Sequence, residues 1–431
     1  MSGTLTYFPN QKASLDLGGF IRNPKIIHGI SYSGKKITLY EFLSIRSHHN
    51  YPGYETCEYM PRIILVGEHL SEEFKFNSIS INYSNLQDWL GTNGFIESRS
   101  PEISITYKKP EKITAKLNDV YSISVDYGFS CSREFGKNVN MEQIAYIIAE
   151  SNEERPLDEY EKIMNQTMNF LTLAIREPVY PLIINARTKS MNPGFDSIRI
   201  YYPYFNIPTT FKSIHPLKML FEFKDVSESF DLYLRNWFLK YKMIQPTFDL
   251  YFDTMYTSRL TIQAKFLNMM QALEAYHRRK DTMTHLDLPE EEHSIRMKNI
   301  ISSVDPDYRD WLGKKLDYSN ETYLSKRLEE IMNTYLDIIK GIFPSKKKRM
   351  SFIGKVTEYR NALTHYDAKK DQPKGEDILE VYPNVKEIVE LCLLSELGFS
   401  TKDILYLFNK EGVEKEIALD RFDQAVKMLS K

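Results

Sequence analysis

Arg360, Asn361 and His365 follow one another as R-N-x-x-x-H within the segment Thr357-Glu358-Tyr359-Arg360-Asn361-Ala362-Leu363-Thr364-His365-Tyr366. These residue types can together cleave RNA without a metal. An imidazole can take the proton of a ribose 2′-hydroxyl or return one to a leaving oxygen, and its ordinary pKa of about 6.5 suits either role near neutrality. A guanidinium can hold a phosphate while negative charge builds on it, and a carboxamide can orient phosphate or imidazole.

Spacing alone selects nothing, because Arg followed by His after four to six intervening residues occurs five times in the chain. The other pairs are Arg22/His28, Arg62/His69, Arg278/His285 and Arg279/His285. Pro24 breaks any helix carrying the first. Ile63-Ile64-Leu65-Val66 makes the second a buried strand, and the pairs ending at His285 run off a helix end. Around Arg360 the apolar residues Phe352, Val356, Tyr359, Leu363 and Tyr366 recur in steps of four and three, the period of one helix face. Asn361 and His365 lie about 40° apart around that helix, and His365 about 200° from Leu363, so both point away from the apolar stripe. Arg360 sits between the faces, within reach of the spot His365 occupies. Such an outward polar trio is either plain surface or half of a site that a second subunit completes.

Further candidates surround this helix. Lys346-Lys347-Lys348-Arg349 precedes it and offers cations to RNA phosphates; a cation cluster opposes the dipole of a helix N-terminus, so helix stability does not explain it. A solvated loop is the plain alternative. His277-Arg278-Arg279-Lys280 closes another helix, where positive charge favours the C-terminal end. Glu274 and His277, three apart, offer either a second polar layer to the site or a contact within their own helix. His48-His49 and His285/His293 lack a third ligand, so no metal or other cofactor is expected.

The elements that must hold these residues divide the chain. Apolar alternation at Ile79/Ile81/Tyr83, Ile103/Ile105/Tyr107 and Tyr121/Ile123/Val125/Tyr127 predicts strands, with others at 36–42 and 62–66. Ser84-Asn85-Leu86-Gln87 resembles a capping box opening a short helix through Trp89. From Leu157 to Arg176 the period turns helical, with Tyr160, Met164, Met168, Leu171 and Ile175 on one face until Pro178. Strands return near 182–184 and 198–202. Pro203 to Pro216 marks a boundary, and helices are predicted near 226–243, 258–280, 320–340, 350–366 and 377–397. The expected organisation is α+β and multidomain: a β-rich sandwich or barrel-like domain over 1–150, a completing or linking stretch over 151–215, and an all-α bundle over 216–431.

With 24 Phe and 29 Tyr in 431 residues the chain can build such cores, which argues against disorder. A formal net charge of −2 supplies no global field for nucleic acid, so RNA contact must come from local patches. Cys57, Cys131 and Cys392 are scattered, without a zinc or disulfide pattern. Neither an apolar leader nor a membrane-length apolar run is evident, and a cytoplasmic location without membrane contact is expected.

These residues carry a resemblance. R-N-x-x-x-H on a bundle helix is similar to the HEPN superfamily, whose ribonuclease members carry Arg, usually a polar residue, and His at this spacing. Phe266 to Arg278, with Gly34-Lys35-Lys36-Ile37-Thr38-Leu39-Tyr40 and the stretch from Phe74 to Trp89, resembles the ApeA type of bacterial anti-phage protein. The resemblance implies a homodimer that brings two Arg/His sets into one cleft, and metal-independent endoribonuclease activity in abortive infection, with transfer RNA the first RNA to test. It also implies an N-terminal domain that restrains the toxin and senses infection through a phage-encoded trigger. A non-catalytic RNA-binding HEPN protein and a phage-sensing interaction protein are the alternatives.

Overall fold

Residues that alternate apolar and polar become strand where a neighbouring strand can take up their backbone N–H and C=O groups. The computed structural model describes residues 1–8, 11–49, 55–191, 196–203, 207–365 and 372–410. It divides into two units, Met1–Arg235 and Asn236–Lys431. The first contains β1 (Gly3–Thr6), β2 (Ser14–Gly18), β3 (Ile26–Ile30), β4 (Lys36–His49), β5 (Glu55–Gly67), β6 (Lys75–Tyr83), α1 (Leu86–Leu90), β7 (Phe95–Ser98), β8 (Ser104–Tyr107), β9 (Ile113–Lys116), β10 (Tyr121–Glu134), β11 (Asn138–Pro156), α2 (Leu157–Ile175), β12 (Pro181–Arg187) and β13 (Ile198–Tyr201).

Eleven of these strands form one antiparallel sheet in the order β1-β2-β5-β13-β12-β6-β11-β10-β9, with β4 also on β5 and β3 on β4. Registered rows put Ile81, Ile147, Val125 and Ile184 on one face. Helix α2 lies there, fixed by hydrogen bonds from the Tyr83 hydroxyl to the Met164 carbonyl (2.9 Å) and from the Tyr160 hydroxyl to the Phe76 carbonyl (3.1 Å). A separate apolar cluster of Leu15, Leu17, Leu39, Tyr59 and Ile64 forms toward the β2–β5 end. The β-rich N-terminal region is therefore as expected, and α2, β12 and β13 are integral to it.

Three local readings need correction. Ile103 and Ile105 do not reach the core: Ile103 lies just before β8 and Ile105 within the small two-stranded sheet of β7 and β8, and they are 86% and 52% exposed, while only Tyr107 tucks in, stacked 4.4 Å from Phe129. The capping box before α1 does not form. Its N-cap is Asn85, in a left-handed conformation without a side-chain cap bond, and the Ser84 hydroxyl accepts instead from the Tyr180 N–H (3.0 Å). Residues 216–229, read as the start of the helical region, make 3-10 turns in the first unit, where the Trp89 indole donates to the Phe221 carbonyl (3.1 Å).

The helices that follow are α3 (Phe230–Met243), α4 (Gln245–Tyr256), α5 (Ile262–Arg279), α6 (Glu290–Ser302), α7 (Pro306–Leu316), α8 (Leu324–Thr334), α9 (Leu336–Ile342), α10 (Lys346–His365) and α11 (Gly375–Leu397). Phe266, Met269, Leu273 and Tyr276 of α5 are buried as their spacing predicts, against α4, α8, α10 and α11. In α10 the buried residues are Phe352, Ile353, Val356, Ala362 and Leu363. Burying each large side chain contributes about 1.5–3 kcal/mol, enough to fix which way α10 faces. Tyr366 lies outside the described residues. The single helix expected over 320–340 is two, α8 and α9, broken at Tyr335. None of the described helices is long and apolar enough to cross a membrane.

Candidate active site

Helix α10 carries the motif on its last described turns. Asn361 and His365 are exposed, one turn apart, and line a cleft of about 970 Å³ with Gly354, Thr357, Glu358 and Asp377. The Thr364 hydroxyl donates to the Arg360 carbonyl (2.7 Å), holding the final turn closed. Among the described residues His365 makes no hydrogen bond.

Arg360 is held more firmly. Its Nη2 donates to Glu274 Oε2 on α5 at 3.2 Å and its Nη1 to the Asn361 side-chain oxygen at 3.3 Å, with the side chain 30% exposed. The guanidinium has five donors. Two bonds aim it toward the Asn361 side of α10 and leave N–H groups for an incoming anion.

Glu274 does not pair with His277 within its helix. It takes Arg360 across the bundle and, through Oε1, Arg278 one turn on (3.4 Å). Arg278 reaches Glu321 at 2.6 Å, and Glu321 lies 3.6 Å from Arg327 Nη2. Arg327 is fully buried, donating through Nε to the Thr322 carbonyl (2.6 Å) and through Nη1 to His277 Nδ1 (3.2 Å). Because a guanidinium only donates, His277 Nδ1 must accept, which puts the proton on Nε2, 2.8 Å from Glu330 Oε2. Burial first, and then the Arg327 charge, pull the His277 pKa down against Glu330, so this histidine is neutral. Burial raises the Glu330 carboxyl, yet bonds from His277 and Thr284 hold it below its usual value. Alternating charges thus run from Arg360 through Glu274, Arg278 and Glu321 to Arg327, and the neutral His277 links Arg327 to Glu330.

Sequence reading missed Glu321, Arg327 and Glu330. One signal was present: Arg327 occupies the apolar phase of α8, four residues before Ile331, where a surface charge has no place. The basic tail of α5 is accounted for structurally, since Lys280 pairs with Glu396 and Arg279 donates to the Met243 carbonyl (3.4 Å).

Lys346, Lys347, Lys348 and Arg349 are not in a loop. They form the first turn of α10, where the Ser345 hydroxyl caps the Lys348 N–H (3.2 Å) and Arg349 donates to the Phe343 carbonyl (3.3 Å). The three lysines are exposed. At 1.5 Å per residue, Lys346 stands roughly 28 Å along the axis from His365. The basic turn and the motif cannot hold the same phosphate.

Other Arg/His pairs are occupied elsewhere. Arg62 binds Glu41 (2.8 Å), His28 and His69 stack on each other at 4.8 Å, and the His285 ring lies edge-on to His277 at 5.8 Å. Among the described residues no three His, Cys, Asp or Glu side chains are grouped as metal ligands.

Comparison with known proteins assigns both parts of the chain. Residues 1–237 match the family described as ApeA N-terminal domain 1, and residues 267–403 match Apea-like HEPN. No curated protein and no solved structure matches the chain. The match to ApeA N-terminal domain 1 spans more than half of the 431 residues, and Arg360, Asn361 and His365 all fall inside the HEPN match: the chain belongs to the ApeA family, an ApeA N-terminal domain followed by an Apea-like HEPN domain.

Proposed function

We infer that this protein is a metal-independent endoribonuclease of anti-phage defence, acting through Arg360, Asn361 and His365. The observation that carries the reading is the contrast within the last two turns of α10: a guanidinium pinned by Glu274 and an exposed imidazole without a partner among the described residues. That is what transition-state charge stabilisation and proton transfer each require. The ribose 2′-oxygen attacks phosphorus as His365 removes its proton. The bond from phosphorus to the 5′-oxygen breaks as a second acid protonates that oxygen, leaving a 2′,3′-cyclic phosphate and a 5′-hydroxyl. One copy offers a single exposed imidazole on this helix face, so the second proton carrier comes from another copy, and the working unit is a homodimer. Lys346, Lys347 and Lys348 bind more distant phosphates of the same RNA. Transfer RNA is the first substrate to test, since its anticodon loop presents unstacked bases. The N-terminal domain senses infection, with a phage-encoded protein as trigger.

Mixing wild type with His365→Ala tests the shared cleft. The variant alone is expected to be inactive, and at equal amounts the mixture should keep about a quarter of the wild-type rate rather than about half, because a heterodimer lacks one of the two proton carriers. An active monomer by light scattering would overturn the dimer mechanism. Glu358 and Asp377 in the cleft repel phosphate and favour the second reading, a partner-binding HEPN protein without catalysis; that reading requires His365→Ala to lose binding while wild type never cuts RNA.

A further inference from the structure

The face of the N-terminal sheet opposite α2 carries a groove that RNA cleavage does not use. Registered rows place Ser78 between Glu150 and Arg187, and Ser80 between Ile148 and Asn185. Neighbouring strands stand about 4.8 Å apart, so the Glu150 and Arg187 backbones are about 10 Å apart with only a hydroxymethyl group between them. The groove encloses about 430 Å³. This is the size of a small-ligand pocket.

Charge within it is unevenly settled. Glu150 takes Lys112 at 3.2 Å and Asp126 takes Lys109 at 2.6 Å. Arg187 lines the groove half-buried, and among the described residues its guanidinium has neither a hydrogen bond nor an ion pair. Removing a cation from water is costly unless a partner replaces the solvent. Its neighbours are donors: the Ser78 and Ser80 hydroxyls, and the Asn185 amide, whose oxygen already accepts from Arg199 (3.4 Å), leaving its NH₂ to give. An aromatic surface adjoins them. A Cβ on Gly128 would lie 3.1 Å from Tyr146 Cε2, so the glycine is what lets that ring lie down against the strand, beside Ile148.

We propose that this groove binds a phosphorylated small ligand of mononucleotide size, with its phosphate on Arg187, Ser78, Ser80 and Asn185 and its planar base against Tyr146. An oxyanion satisfies the unclaimed guanidinium and the surrounding donors together, and bidentate phosphate binding is what a guanidinium does best. A flat ring on tyrosine adds affinity that inorganic phosphate cannot gain.

The test is calorimetric titration of the full-length chain with each of the four ribonucleoside 5′-monophosphates and with inorganic phosphate. Every protein carries Arg360→Ala, so that the helical unit cannot hold the probe through its own arginine. One saturating site for at least one monophosphate is expected, weakened at least about tenfold by Arg187→Gln. Tyr146→Leu should reduce the monophosphate to the affinity of inorganic phosphate, with unchanged thermal melting in both variants. The proposal is overturned if no probe saturates by about 10 mM, or if Arg187→Gln binds like its parent. The nucleotide assignment is overturned if inorganic phosphate binds as tightly as every monophosphate.

Discussion

Glu274→Gln separates positioning from folding at the Arg360 site. Two guanidiniums share this carboxylate, Arg360 at 3.2 Å and Arg278 at 3.4 Å, giving the trio a net charge of +1 (two positive, one negative). The substitution raises it to +2 and keeps the side-chain shape. Arg278 retains Glu321 at 2.6 Å, and Arg360 is partly exposed, so the fold loses only what a partly exposed ion pair supplies, about 0.5–1 kcal/mol. For a unit of this size that lowers Tm by about 1–4 °C. Arg360, however, loses one of the two contacts that aim it. Misplacing such a group by about 1 Å costs on the order of 10²-fold, so kcat should fall roughly 10- to 100-fold. The added positive charge acts on binding in the opposite sense, leaving KM unchanged or lower. Steady-state cleavage of a short RNA, alongside a thermal melt, reads both. Wild-type kcat in Glu274→Gln would refute the positioning argument, and so would a loss of activity matched by unfolding.

The neutral His277 makes stability pH-dependent. Its folded pKa is depressed, so below about pH 6.5 the unfolded chain binds more protons and stability falls as pH drops, by at most about 1.4 kcal/mol per unit. Melts between pH 7.5 and 5 should show this slope in wild type and lose it in His277→Gln, whereas Glu330 and Glu396, both held low, add their loss only at more acidic pH. Arg327→Met removes a buried cation facing Glu321 and His277 and should cost about 3 kcal/mol; an unchanged Tm would show that the network adds nothing to the fold. Replacing Lys346, Lys347 and Lys348 together by Gln should flatten the log–log salt dependence of RNA binding by about 2 with kcat unchanged, and an unaltered slope would remove the basic turn from the RNA path.

What the sequence disclosed follows from how far each signal reaches along the chain. The apolar stripe of α10 is local, so Phe352, Val356 and Leu363 identified both the helix and its buried side, and the outward direction of Asn361 and His365 followed. Helices α6 and α7 bury no residue, so they carry no strong stripe, and they were missed. Ile103 and Ile105 show the converse, since alternation reports a strand and not what covers it. The contact between Arg360 and Glu274 spans 86 positions, and only the packing of α5 against α10 creates it. Sequence reading began this helix at 350 and left the basic run before it, with a solvated loop as the plain alternative, because four successive cations mask a capping serine at Ser345.

RNA cleavage in EDTA, by wild type and His365→Ala on total and transfer RNA with the product ends mapped, bears most directly on the ribonuclease reading. It predicts cutting that survives chelation, leaves 2′,3′-cyclic phosphate and 5′-hydroxyl ends, and vanishes in His365→Ala. Cleavage that EDTA abolishes, or that His365→Ala performs as well as wild type, would contradict it.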